Sequence, residues 1–284
     1  MHYSDGNLTV RTMTHEEVAL AVDWAAAEGW NPGRNDAECF YCTDPDGFFI
    51  GEIDGRPVGC ISAVSYGPSF GFLGFFIVKP EFRGHRIGTV IGRKALESLG
   101  NRNVGLDGVL DKVHNYLHYG FTLAYRNIRH QGTAGEGTAT PPTVVETTTL
   151  SLNDVSVYDR TCFPAERKRF LERWLSQSGI SSYAVVRKGT IRGYGVIRPC
   201  RQGWKIGPLF ADTETIAEDL FRALTARISG ETFYLDIPEV NPAARALVER
   251  HRMTEVFATA RMYSKERPPL PLDRIFGVTS FELG

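Results

Sequence analysis

The order of structural elements legible between Thr14 and His130 is legible a second time between Val144 and Tyr263. In each stretch a strand and helices lead into three antiparallel strands, then a helix, a strand, a helix and a strand. Residues in step across the repeat keep one constant spacing: Tyr116 with Val248, Phe121 with Met253, and Arg129 with Arg261. A slightly shorter spacing relates Pro80 to Pro208 and Leu96 to Leu224. Such a recurrence restricts the chain to two copies of one α/β unit in tandem, since each copy must bury the same faces in the same order. Between the copies lies "QGTAGEGTATPPT" (residues 131–143), rich in Gly, Thr and Pro and without an apolar period. The predicted division is a first unit at 1–133, a linker at 134–143 and a second unit at 144–284.

In the first copy, Thr14-His15-Glu16-Glu17 has the form of a capping box, with Val18, Val22 and Ala25 on one helical face. "GWNPG" (29–33) ends that helix, and Asp36 to Thr43 predicts a second, short one. Two strands hinge at Asp54-Gly55, and Phe70 to Val78 is the third. A basic loop then leads to a helix expected from about Gly84 to Leu99, a strand at 104–109, a helix from Asp111 to Tyr119 and a strand at 121–130. In the second copy, Val144 to Leu152 predicts a strand, and "AERKRFLERWLSQ" predicts a helix with Phe170, Leu171, Trp174 and Leu175 on one stripe. An extra strand is expected from Phe276 to Leu283.

The chain has 284 residues, 42% hydrophobic and 23% charged, enough for two cores of ordinary size. A formal charge of −1 and a pI of about 6.7 argue against a dedicated nucleic-acid binder. No apolar run approaches the roughly 20 residues that span a bilayer, and "MHYSDGNLTV" carries no positive-plus-apolar leader. A cytoplasmic location with no membrane partner is therefore expected. Five cysteines at irregular spacing favour reduced thiols. Cys39 and Cys42 form C-x-x-C, and His114 and His118 sit at i, i+4. With no second pair or third ligand, both read as structural residues and no metal is expected.

The chemistry-bearing segment is Arg83-Gly84-His85-Arg86-Ile87-Gly88, between a strand and a helix. A helix N-terminus leaves amides unpaired, and its dipole favours negative charge. The amides from Arg83 to Gly88 suit a diphosphate, with Gly84 and Gly88 allowing close approach and Arg83, His85 and Arg86 adding charge. A plain strand-to-helix turn is the alternative, but a turn does not require three basic side chains. The second copy serves as an internal control. Its in-step residues, Ala211-Asp212-Thr213-Glu214, bring two carboxylates that would repel a diphosphate. One anion site per chain, in the first copy, is expected.

On these residues the chain resembles the GNAT superfamily of acetyl-CoA-dependent N-acyltransferases. "RGHRIG" follows that superfamily's R/Q-x-x-G-x-G/A pattern after a strand ending at Pro80, and "YLHYGF" follows its Y-x-x-x-G-F pattern. The likeness is greatest to two-domain bacterial members with a GNAT-like C-terminal domain. It implies a mixed α/β fold of two tandem GNAT-like domains, each a mostly antiparallel sheet splayed at its centre and flanked by helices. It also implies acetyl-CoA as co-substrate and direct attack by an amine of a small molecule or peptide. The cofactor residues would be Phe76, Ile77, Val78, Arg83, Gly84, His85, Arg86, Ile87, Gly88 and Thr89. Backbone amides near Phe76 to Val78 would polarise the thioester carbonyl, and Tyr116 falls at the acid position. Trp30 and Asn31 would flank the acceptor. Arg86 replaces the pattern's first glycine, so its amide serves only if its backbone avoids φ > 0.

An amine of pKa near 10 must lose a proton before attack. Glu52, Tyr66 and Asp36 are the candidate bases by position, with Tyr66 also a candidate substrate contact. Likeness to the tandem N-myristoyltransferases adds the C-terminal carboxylate at Gly284. A non-catalytic acyl-CoA-binding sensor is the alternative function.

Overall fold

The computed structural model describes residues 8–135 and 140–284; of the expected linker, residues 136–139 lie outside the described residues, as do 1–7. The first half supplies β1 (Leu8–Thr12), α1 (His15–Ala27), α2 (Asp36–Thr43), β2 (Phe48–Ile53), β3 (Arg56–Tyr66), β4 (Phe70–Val78), α3 (Ile87–Leu99), β5 (Asn103–Val109), α4 (Val113–His118) and β6 (Thr122–Thr133). The second supplies β7 (Val144–Glu146), α5 (Leu152–Asp159), α6 (Lys168–Trp174), β8 (Ser181–Arg187), β9 (Thr190–Pro199) and β10 (Trp204–Ala211). It continues through α7 (Glu214–Thr225), β11 (Thr232–Pro238), α8 (Pro242–Arg250), β12 (Thr254–Tyr263) and β13 (Ile275–Gly277). The capping box that opens α1 is formed: the Thr14 amide donates to the Glu17 carboxylate at 2.8 Å.

All these strands join one mixed sheet, in the order β1-β2-β3-β4-β5-β12-β6-β11-β10-β9-β8-β7, with β13 added beside β10. The centre of that order is an exchange. Strand β12 of the second half completes the first half's sheet against β5, and β6 of the first half completes the second half's sheet against β11. The β6–β12 register explains why the exchange closes. Tyr125 faces Arg261, Arg129 faces Phe257, and Asn127 faces Thr259 between them. Because Arg129 and Arg261 are in step, this pairing maps onto itself by a local twofold axis through Asn127 and Thr259.

Each exchanged strand carries one buried arginine that grips the half it visits. Arg129 on β6 lies opposite Asp236 on β11 and holds it with two parallel bonds of 2.7 and 2.8 Å. Arg261 on β12 lies opposite Asp107 on β5 and does the same at 2.9 and 2.6 Å. Burial alone would push the Asp236 carboxyl up, but the Arg129 guanidinium outweighs it and holds the group below the ordinary carboxylate range.

The helices follow the same symmetry. α3 packs over β2, β3 and β4 on one face, and α7 packs over β8, β9 and β10. On the opposite face, α1 and α2 share a single core with α5 and α6, where Phe40 stacks on Trp174 at 6.2 Å. The two halves are thus joined by exchanged strands and by a common core.

Several expected boundaries move. The strand predicted over Val144–Leu152 stops at Glu146, because Ser151 caps α5 by accepting from the Asp154 amide. The helix predicted over "AERKRFLERWLSQ" is only α6, Lys168–Trp174. The last strand is Ile275–Gly277 rather than 276–283, and α3 starts at Ile87 rather than Gly84. Pro80 and Pro208 are not equivalent: Pro80 opens a 3-10 turn after β4, whereas Pro208 lies inside β10.

Replacing Asp236 by Asn leaves the buried Arg129 guanidinium without its paired carboxylate. The variant should lose about 3–5 kcal/mol of stability in chemical denaturation.

Candidate active-site cleft

The parallel pairing of β4 with β5 runs from Phe70 and Asn103 to Leu73 and Leu106, then stops. Beyond that point the strands splay around a cleft of about 1010 Å³, toward which β4 presents an edge with no strand beside it. At the same place β4 bulges. Ser62 pairs with Gly74 and Cys60 with Ile77, so Phe75 and Phe76 together oppose Ile61 alone. Phe75 takes a left-handed φ of 47°, and its carbonyl accepts from the Cys60 thiol at 3.1 Å. Phe76, Ile77 and Val78 all line the cleft.

After Val78 the chain turns through Pro80–Phe82 into the basic loop. Arg83 braces it: Nε donates to the Val78 carbonyl at 2.8 Å, and Nη2 pairs with Glu28 just past α1. Gly84 takes φ 84°, open to glycine at no steric cost. Arg86 also takes a left-handed conformation, φ 59° and ψ 1°, directly before α3. The condition under which its amide could serve an anion, a backbone that avoids φ > 0, is therefore not met, and the conformation costs about 1–2 kcal/mol in a non-glycine residue. The rest of the loop and the docked α3 hold it there. Among the cleft-lining residues are Arg83, Gly84, Arg86, Ile87, Gly88 and Thr89.

The start of α3 has no side-chain cap and no acidic residue in its first turn. Its counterpart α7 differs at every point. Only Asp212 and Thr213 separate β10 from α7, and the Thr213 hydroxyl accepts from the Ile216 amide. Asp212 is itself engaged by Tyr158, Arg192 and Arg274. The splay between β10 and β11 is occupied by the chain's own β13, which pairs with β10 and places the Val278 amide on the Asp236 carbonyl at 2.9 Å. One half thus has an uncapped helix at the mouth of an open cleft, and the other has a capped helix beside a filled one.

Tyr116 on α4 lines the cleft, with its ring edge-on to Phe121 at 6.3 Å. A side chain at Gly108 would collide with that ring. Burial pushes the Tyr116 phenol up to about 12, so it stays protonated at neutral pH. Trp30 also lines the cleft, held by Arg129 Nη1 on its carbonyl at 2.7 Å. His114 and His118 lie along the same cleft on exposed faces of α4. The Cys39 thiol is buried on the Phe170 carbonyl, and Cys42 turns toward Glu38.

Several expected site residues are engaged elsewhere. Asn31 binds the Gln202 backbone and lends its carbonyl to Lys205. Glu52 forms an ion pair with Arg11 on the β1–β2 edge, away from the cleft. Tyr66 is buried with its hydroxyl on the Leu283 carbonyl at 3.0 Å, which anchors the C-terminal segment. Asp36 is buried against Arg198. Gly284, expected as a base, packs on Phe72 and Phe163 with its oxygen held by Arg167 at 3.2 Å.

The same segment delivers two residues that no motif marked. Phe281 and Glu282 both line the cleft. Glu282 is 3% exposed, and neither of its carboxylate oxygens has a hydrogen-bond partner among the described residues. The only sequence signal was an acid in the otherwise apolar ending "FELG". Among the described residues no helix is long and apolar enough to cross a membrane.

Comparison with known proteins agrees with this geometry. The profile described as "Acetyltransferase (GNAT) family" matches residues 15–121, and that described as "Acetyltransferase (GNAT) domain" matches residues 155–277. The chain is 28% identical to a holothin acyltransferase from Pseudoalteromonas sp. (strain SANK 73390), over 97% of this chain and 94% of that one. Its fold is similar to a putative acetyltransferase from Pyrococcus horikoshii (TM-score 0.84, 23% identity, 99% and 97% of the two chains). A tandem GNAT protein from the clavulanic acid biosynthesis pathway also shares the fold (TM-score 0.64, 13% identity, 92% and 99%).

A Cβ on Gly74 would overlap the Glu282 backbone carbonyl. Gly74→Ala should therefore cost about 1–3 kcal/mol, read by thermal melting, as the C-terminal segment is pushed off β4.

Proposed function

Because the chain belongs to the GNAT acyltransferase family, we propose that it transfers an acetyl group from acetyl-CoA to a primary amine, in the cleft of its first half. In this reading residues 1–133 carry the chemistry, and residues 144–284 complete the sheet and wall the acceptor side. The contrast between the two helix starts carries the reading: α3 is uncapped beside the cleft, whereas Thr213 caps α7. The cleft suits an acyl-CoA. Amides at the α3 start and the Arg86 side chain would take the diphosphate, and Gly88 lets it approach closely. The free edge of β4 at the bulge offers amides to a thioester carbonyl, the arrangement that stabilises an oxyanion.

The amine nitrogen attacks the carbonyl carbon, and the carbon–sulfur bond breaks. The sulfur then takes a proton, for which the Tyr116 phenol, protonated at working pH and on the cleft wall, is the donor. The holothin acyltransferase relative supports acyl transfer as the activity; acetyl as the group and an amine as the acceptor extend it to this chain.

Thiol release from acetyl-CoA in the presence of an amine tests the proposal. Tyr116→Phe should lower kcat by about a hundredfold or more while leaving coenzyme A affinity unchanged; a full kcat in that variant would remove Tyr116 from the acid role.

A further inference from the structure

A buried carboxylate with both oxygens unbonded is rare, because removing it from water costs several kcal/mol unless something replaces the lost hydrogen bonds. Glu282 is in that state. Its neighbourhood supplies charge without hydrogen bonds. Its charge favours the protonated forms of Arg129, Arg198 and Lys205. Yet Arg129 directs Nε and Nη2 to Asp236 and Nη1 to the Trp30 carbonyl. Arg198 directs Nε and Nη2 to Asp36 and leaves Nη1 without a partner among the described residues, and Lys205 donates to the Asn31 carbonyl.

Other groups in the same chamber lack partners. Thr259 lines the cleft, is 2% exposed, and its hydroxyl has no partner among the described residues; nor has the Oδ1 of Asn127, which faces it across the local axis. Phe257 and Thr259 sit two residues apart on β12, hence on one face. The Phe257 ring lies 6.2 Å from that of Phe281, next to Glu282 in the chain. Trp30 closes the group, tied to it through Arg129, which also lies 4.8 Å from the Phe281 ring centroid. The other carboxylate on the cleft beside β12, Asp107, already accepts from Arg261 and Asn127. The chamber therefore offers one uncommitted carboxylate between aromatic walls.

Building on the acyl-transfer reading above, we propose that Glu282 receives the acceptor's amine and takes its proton, and that the acceptor is a compact primary amine on a flat, largely apolar ring body. Aromatic faces favour a ring or a cation over a long polar chain. One carboxylate matches one amine, so a linear polyamine would leave its further charges unpaired, and a carboxylate- or phosphate-bearing acceptor would meet like charge. The bound ammonium first passes one proton through a Glu282 oxygen to solvent; the neutral nitrogen then forms its bond to the carbonyl carbon as the carbon–sulfur bond breaks, and gives its second proton to the same oxygen. The thiolate leaves with the Tyr116 proton, and solvent resets both groups.

The test uses the full-length chain with benzylamine and tyramine against spermidine and a lysine peptide. Binding of each amine is measured by calorimetry apart from turnover, so that failure of acyl transfer leaves the subsite readable. The ring amines should bind at least about tenfold tighter than spermidine or the peptide. Glu282→Gln should weaken ring-amine binding by about ten- to a hundredfold with coenzyme A affinity intact. Glu282→Asp, which keeps the charge, should recover part of the loss and guards against misfolding of the first variant. Where wild type turns over, Glu282→Gln should also lose about a hundredfold in kcat. Unchanged ring-amine binding in Glu282→Gln, or tighter binding of spermidine or the peptide, would overturn the inference. Ring-amine binding that depends on Glu282 without thiol release would uphold the subsite while refuting the transferase reading.

Discussion

Two strands that cross from one half to the other, each fastened by an arginine fork, organise everything else in this molecule. An Arg–Asp pair removed from water gains little net stability over apolar residues of the same size, but removing one partner is costly. Such pairs specify arrangement more than they add strength. Here they act at the two places where a strand must choose its neighbour. Arg129 meets its aspartate on β11, and Arg261 meets its aspartate on β5.

The exchange also explains how two copies of one unit came to differ. Once β12 walls the first cleft, the second half contributes to that cleft whether or not it keeps one of its own. Its own splay holds β13, its loop is only Asp212 and Thr213, and its helix is capped by a hydroxyl. The same backbone position serves as an open helix start in one copy and as a finished one in the other. The difference comes from loop length, residues 79–86 against 212–213, and from one threonine.

Local signals in the sequence came through where local physics decides. The capping box at Thr14, the short helix Asp36–Thr43, the doubled element order and the basic loop all rest on neighbours within a few residues. What escaped was set by distant contacts. No periodicity says that β6 will pair with β11 rather than stay with its own half, although the in-step arginines at 129 and 261 were visible. Arg86 breaks the glycine preference because the loop around it imposes the turn. Tyr66 and Gly284 looked available only because their partners, Leu283 and Arg167, lie far away in the chain. Glu282 was invisible for the same reason: its significance comes from what surrounds it after folding.

The position of β12 sets a schedule for biosynthesis. While the chain is being made, β5 can form with β4, yet its other edge has no neighbour until residues 254–263 leave the ribosome. The sheet of the N-terminal half is therefore complete only once β12 has been made. Until then that strand edge stays open and Asp107 lacks its Arg261 partner, the kind of exposed edge that makes a folding intermediate prone to aggregate.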